Sequence, residues 1–234
     1  RCGTTDRFII MKLVIFDLDD TLIDFRSTRE IAYVALTDLL RSEGLDAATY
    51  MRACADMDRP LFVQFEQGKL TRQEYRVRRF SDPFSALGMD PPPELVARLN
   101  KLFMDCVNDN PRIYDDVRPT LARLRTQGLH LAILTNGPSD GQRRKLAATG
   151  LADAVDHVAI GEEQGFSKPL PMAFHSVVQR FSLQNAEALM IGDSPLLDYD
   201  AALSAGLGAL LLDRDMQHKE SHRVSIRSLL GVLS

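Results

Sequence analysis

Asp17 and Asp19 stand two residues apart where an apolar run stops. Thr135 and Asn136 end a second such run, and Asp193 ends a third, with Asp198 five residues further on. Lys168 sits in Gly165-Phe-Ser-Lys-Pro169, in a loop ahead of a helix. In open α/β sheets ligands bind outside the carboxyl ends of the strands, so all of these side chains fall where chemistry is normally placed. Carboxylates gathered at one sheet edge repel each other unless a cation lies among them. An all-oxygen acidic set suits a hard octahedral ion, and Mg²⁺ takes one or two carboxylates together with waters and substrate phosphate. Zinc is not suggested, because the histidines are scattered and the cysteines lack ligand spacing. Each residue taken singly also has a plain structural reading. Asp17-x-Asp19 is then a polar strand end, Thr135, Asn136 and Ser194 are helix caps, and Lys168 is a surface lysine.

The elements that would carry these residues follow from hydrophobic patterning. Phe8 to Phe16 is nearly continuous apolar and β-branched sequence, which predicts a strand buried on both faces of a parallel sheet. His130–Thr135, Asp156–Ile160, Ala188–Ile191 and Gly208–Leu212 predict four more strands. Helices are expected between them at Val117–Thr126, Ser139–Thr149, Pro169–Phe181 and Pro195–Ala205, and a last one at Val224–Leu233. Alternation of this kind implies right-handed crossovers and helices on both faces of the sheet. From Asp24 to Asn110 no strand is expected. One helix is capped by Ser27 or Thr28, with Ile31, Val34, Ala35, Thr37, Leu39 and Leu40 as its apolar face. A second runs from Ala47 to about Gln67, broken or bent near Pro60. A third opens on the capping box Thr71-Arg-Gln-Glu74 and ends at Phe80; Pro83–Leu87 forms a separate short turn, and Glu94–Asn108 is a further helix. The fold class is thus α/β: a Rossmann-like parallel sheet core, residues 1–23 and 112–234, with an inserted all-helical domain at 24–111. Residues 1–10 precede Met11, a natural start, and the first six are set aside as possible upstream sequence.

Four short motifs, in order, resemble those of the haloacid dehalogenase-like hydrolase superfamily: Asp17-Leu-Asp19-Asp20-Thr21, Ile133-Leu-Thr135-Asn136-Gly137, Ser167-Lys168-Pro169 and Gly192-Asp193-Ser194-Pro-Leu-Leu-Asp198. They span almost the whole core, and the helical insert resembles that family's cap of the first type. The resemblance implies that Asp17 attacks phosphorus to give an aspartyl-phosphate. Asp19 would protonate the leaving oxygen and then take a proton from the hydrolytic water. Mg²⁺ would be held by the Asp17 carboxylate, the Asp19 backbone carbonyl and the Asp193 carboxylate. Thr135, the Asn136 amide and Lys168 would bind the phosphoryl oxygens, and Asp198 would orient Lys168 or a metal-bound water. The name-giving dehalogenases of the family lack an acid two residues after the nucleophile, so Asp19 favours phosphoryl transfer over carbon–halogen cleavage.

A net charge of −4 argues against nonspecific binding to nucleic acid or acidic membranes. No apolar run approaches the ~20 residues that span a bilayer. The three cysteines read as reduced thiols of a cytoplasmic protein. The expected partner is a small phosphorylated metabolite. The second motif and the segment Phe65–Phe80 resemble phosphatases of nucleoside monophosphates or sugar phosphates, acylneuraminate 9-phosphatases among them. Arg76, Arg78 and Arg79 would either hold an anionic substrate or form a solvated helix face, the commoner arrangement. Two alternatives share the fold: a phosphosugar mutase, which keeps all four motifs, and a non-catalytic binding protein, in which loss of Asp17 or Asp19 is expected.

Overall fold

A computed structural model describes residues 11–90, 92–218 and 222–233. The chain forms two compact units: one holds the chain up to Asp24 and again from Pro111, the other is Phe25–Asn110.

The first unit is built on a six-stranded, wholly parallel sheet. Its strands are β1 (Leu13–Phe16), β2 (His130–Thr135), β3 (His157–Ile160), β4 (Ala188–Gly192), β5 (Gly208–Leu212) and β6 (Ser225–Ile226), in the spatial order β3-β2-β1-β4-β5-β6. β1 is central and its four residues are buried, as the unbroken apolar run requires; the Phe8–Ile10 part of that run lies outside the described residues. The alternation of β1 splits the core in two. Val14 and Phe16 pack with Leu121, Leu124, Leu146 and Leu151 on one face. Leu13 and Ile15 pack with Phe174, Val177, Val178 and Met190 on the other. Full burial of side chains of this size stabilises the fold by about 1.5–3 kcal/mol each.

Register sets the level of the strand ends. Phe16 pairs with Ile133 of β2 and Ile191 of β4, so the next residue, Asp17, comes level with Leu134 and Gly192. The Asp17 N–H donates to the Ile191 carbonyl at 3.0 Å. Beyond it the chain turns at Asp20, whose φ of +58° is in the left-handed region that aspartate tolerates. Ile23 bridges Asp19 in parallel and Ile113 in antiparallel fashion, and the Asp24 N–H donates to the Arg112 carbonyl at 2.8 Å. The chain leaves the sheet unit and re-enters it along this one short ribbon.

Two expectations for this unit are corrected. Val224–Leu233 is not a helix: Ser225–Ile226 adds an edge strand to β5, and Leu229–Leu233 is a 3₁₀ turn. The segment after β4 is not a plain α-helix, since Pro195–Asp200 is wound as a π-helix and only Ala201–Ser204 is α. Six consecutive π-type residues are uncommon, and such turns gather at functional sites.

The second unit holds the helices Phe25–Ser42, Ala47–Glu66, Arg72–Ala86 and Pro93–Asp109 around one apolar cluster, with Leu36, Leu40, Tyr50, Phe80, Phe84, Leu99 and Phe103 at its centre. The first of these starts at Phe25, so Ser27 and Thr28 lie inside it. Its buried stripe is Thr28, Ala32, Leu36 and Leu40, and Ile31 and Val34 face solvent. The Thr71–Glu74 capping box is formed on both sides. Its helix does not stop at Phe80; it runs through Pro83, and Pro60 likewise lies within a single helix. Tertiary burial of Phe80 and Phe84 on one stripe outweighs the ~3 kcal/mol cost of an internal proline. Among the described residues no helix is long and apolar enough to cross a membrane.

Candidate active site

At the carboxyl edge of the sheet, Lys168 joins two acids from different loops. Its ammonium is 2.6 Å from Asp17 Oδ1 and 2.6 Å from Asp198 Oδ1, and the lysine is buried. Burial alone would lower the lysine pKa, but the Asp17 and Asp198 carboxylates hold it above its ordinary value, so Lys168 is a fixed cation. Asn136 keeps it in place: the side-chain amide donates to the Lys168 carbonyl at 2.7 Å and its Oδ1 accepts from the Lys168 N–H at 2.9 Å. The plain reading of Lys168 as a surface lysine is therefore wrong, and the Asn136 side chain is a clamp between loops.

Asp198 has both oxygens engaged, since Oδ2 accepts from the Ser194 N–H at 2.9 Å. Ser194 in turn caps the π-helical turn by accepting from the Leu197 N–H at 3.2 Å. Asp193 is tied to the first loop by Thr21: the Asp193 N–H donates to Thr21 Oγ1 at 3.1 Å. The Thr21 carbonyl accepts from Arg214 at 3.0 Å. That guanidinium also holds Asp116 through two contacts of 2.8 and 3.0 Å and lies 3.8 Å over the Tyr114 ring.

One carboxylate oxygen from each of Asp17, Asp193 and Asp198 lies within 4.8 Å of the others. Burial pushes the pKa values of Asp17 and Asp193 above the ordinary carboxylate range, and the neighbouring acids push the same way. Lys168 opposes both shifts without cancelling them. The cluster is thus short of positive charge, and its donors are all hard oxygens, the combination that a divalent oxygen-seeking cation matches.

Asp19 takes two donors from the Ser139–Thr149 helix: the Lys145 ammonium on Oδ1, and Gln142 Nε2 on Oδ2 at 3.0 Å. The same Gln142 amide donates to Thr135 Oγ1 at 2.6 Å. The residues singled out from the sequence fall into three hydrogen-bonded sets: Asp17, Asn136, Lys168 and Asp198; Asp19 and Thr135, joined through Gln142; and Asp193 with Thr21, its carboxylate within 4.8 Å of those of Asp17 and Asp198. Thr21, Gln142 and Lys145 were not anticipated. The signal for the last two was a polar pair within the buried stripe Gln142, Lys145, Leu146 and Thr149, where apolar residues are the rule.

The arginines divide. Arg78 pairs with Asp82 at 2.9 Å in an i,i+4 surface contact. Arg79 does not belong to a solvated face: it is 7% exposed, packs 4.0 Å from the Phe103 ring centre and donates to Asn100 Oδ1 at 3.1 Å. Cys54 and Cys106 are free thiols, and burial pushes Cys54 up to about 12, far from thiolate chemistry.

Gly192 has a packing reason. A Cβ there would lie 2.2 Å from Asp198 Oδ2, and that carboxylate is held at both oxygens. We expect Gly192→Ala to lower stability by about 1–3 kcal/mol, as overpacking does, seen as a lower urea midpoint with an unchanged slope.

Residues 11–206 match the family pattern described as haloacid dehalogenase-like hydrolase. Phosphoserine phosphatase of Thermus thermophilus is 32% identical over 232 residues, covering 90% of this chain and 92% of the relative. Pyrimidine 5'-nucleotidase PynA of Streptococcus pneumoniae is 29% identical over 213 residues, covering 90% and 86%. Among solved structures, the magnesium-bound putative HAD-hydrolase YfnB of Bacillus subtilis superposes with a TM-score of 0.79 at 26% identity, covering 95% of this chain and 96% of that one.

Proposed function

Because this chain belongs to the haloacid dehalogenase-like hydrolases, we propose that it is a Mg²⁺-dependent phosphoric monoester hydrolase acting on a small phosphorylated metabolite, a nucleoside monophosphate or sugar phosphate, through an aspartyl-phosphate. The observation that carries this reading is the Asp17–Lys168–Asp198 bridge beside Asp193, a nucleophile and a buried cation fixed within one hydrogen-bonded set. In mechanism, Asp17 attacks phosphorus, and Lys168 and the Thr135 hydroxyl receive the charge of the phosphoryl oxygens. With its side chain committed to the Lys168 backbone, Asn136 is left to meet phosphate through its main-chain amide. Asp19 gives a proton to the departing oxygen and later accepts one from water. Asp198 keeps Lys168 aimed at Asp17. Mg²⁺ would be held by the carboxylates of Asp17 and Asp193 and the Asp19 carbonyl, and when bound supplies positive charge that offsets repulsion between nucleophile and phosphate. We assign the helical unit as a cap of the first type that selects the substrate.

The test is phosphate release by the purified chain from p-nitrophenyl phosphate and from a panel of nucleoside monophosphates, sugar phosphates and phosphoserine. With Mg²⁺ we expect turnover of p-nitrophenyl phosphate and of a subset of the panel, and none after EDTA. Equal rates in EDTA would refute the metal dependence, and no release from any phosphomonoester would refute the hydrolase.

A further inference from the structure

We infer that Gln142 and Lys145 are positioning residues that hold Asp19 as the oriented base for hydrolysis of the phosphorylated enzyme; this rests on the phosphatase reading above. The two residues are one turn apart on the Ser139–Thr149 helix, both buried, and each takes one oxygen of the Asp19 carboxylate. Lysine is among the costliest side chains to bury: its ammonium must be desolvated and its rotamers frozen, about 1.5–2 kcal/mol for the latter. An apolar residue at position 145 would complete the stripe with Leu146 at lower cost. What the lysine adds is a donor that pins one carboxylate oxygen while Gln142 pins the other, which fixes the orientation of the Asp19 carboxylate.

Gln142 does two things with one amide. Its two N–H bonds go to Asp19 Oδ2 and Thr135 Oγ1. Since Thr135 Oγ1 accepts there, its own proton remains to be donated, which is the polarity a phosphoryl oxygen needs. Gly137 makes room for this: a Cβ at 137 would sit 2.5 Å from both Cδ and Nε2 of Gln142. Gly137 is thus tied to the placement of Asp19 by packing and not by backbone freedom.

The step at issue is the second one. Water attacks phosphorus, the bond from phosphorus to the Asp17 oxygen breaks, the water proton passes to Asp19, and inorganic phosphate and the Asp17 carboxylate are released. The first step can be made insensitive to Asp19 with p-nitrophenyl phosphate, whose leaving group departs without needing a proton. Wild type, Lys145→Met, Lys145→Arg and Gln142→Met are mixed rapidly with this substrate and Mg²⁺, and acid-quenched protein is weighed intact for a covalent phosphoryl group. In Lys145→Met we expect a burst of p-nitrophenolate approaching one per chain, then steady turnover at least about tenfold below wild type, with phosphorylated protein accumulating. Lys145→Arg should recover part of the steady rate. A purely structural role would slow burst and steady state alike with no phosphorylated protein, and that result, or unchanged rates, overturns the inference. If Lys145→Met does not fold by thermal melting, the same burst is required of Gln142→Met, and its absence there overturns the inference equally. Wild type that releases no p-nitrophenolate overturns the phosphatase reading itself and the inference with it; active wild type without a burst in the variants overturns the inference alone.

Discussion

Asp17→Asn is expected to stop turnover while leaving the protein folded. Asparagine has the shape of aspartate but no nucleophilic oxygen, so the acyl-phosphate cannot form and phosphate release should fall by at least about three orders of magnitude. Folding should not suffer. Asp17 is a buried carboxylate whose ionised form is disfavoured by burial and by Asp198 and Asp19, and Lys168 keeps its second partner at 2.6 Å when the Asp17 charge is removed. The metal-free variant should therefore unfold at a urea midpoint no lower than wild type, as commonly found when strain at an active site is relieved. The two readouts must separate: turnover above about one hundredth of wild type would show that Asp17 is not the nucleophile. A collapsed midpoint would show that the residue is structural.

Lys168→Met should do the reverse, destabilising the fold as well as the chemistry. The substitution keeps most of the aliphatic volume but leaves Asp17 and Asp198 facing each other in a buried site without their shared cation. Removing one partner of a buried ion pair costs about 3–5 kcal/mol, because the charge left behind is uncompensated. Adding Asp198→Asn removes one of the two orphaned charges, so the double variant should recover a good part of that loss. Its turnover should stay down by about two to three orders of magnitude, since no cation meets the phosphoryl oxygens. Urea titration of the metal-free proteins alongside p-nitrophenyl phosphate assays would check both halves. Equal stability of the single and double variants would mean that the bridge between Asp17 and Asp198 does not organise this site.

Much of this arrangement is legible in the chain because it rests on local signals. Leu13–Phe16 is a buried strand since its side chains have nowhere else to go, and a carboxylate directly after such a strand must lie at the sheet edge. The capping box at Thr71 and Glu74 and the left-handed Gly150 after the Ser139–Thr149 helix mark their helix ends in the same way. What the sequence conceals is decided by packing between distant segments. Lys145 and Asp19 are 126 residues apart, and nothing in the helix around Lys145 names its partner. Pro83 reads as a helix stop, yet burial of Phe80 and Phe84 carries the helix past it. Ile31 and Val34 read as core, but the stripe that meets neighbouring helices is offset to Ala32 and Leu36, because a helix face is chosen by what it packs against. The Asn136 clamp on the Lys168 backbone belongs to the same class: two loops 32 residues apart recognise each other through one carboxamide.

The short ribbon pairing Ile23 with Ile113 has a bearing on inheritance. With departure and return paired side by side, everything from Phe25 to Asn110 is, to the sheet, one closed loop whose ends are hydrogen-bonded to each other. Lengthening such a loop is cheap, about 0.6 kcal/mol for each doubling of its length. Recombination or insertion can thus replace the helical segment wholesale while Asp17, Lys168 and Asp193 keep their registers. On the proposed assignment of the helical unit, selectivity and phosphoryl chemistry are separate heritable units in this chain, free to change at different rates.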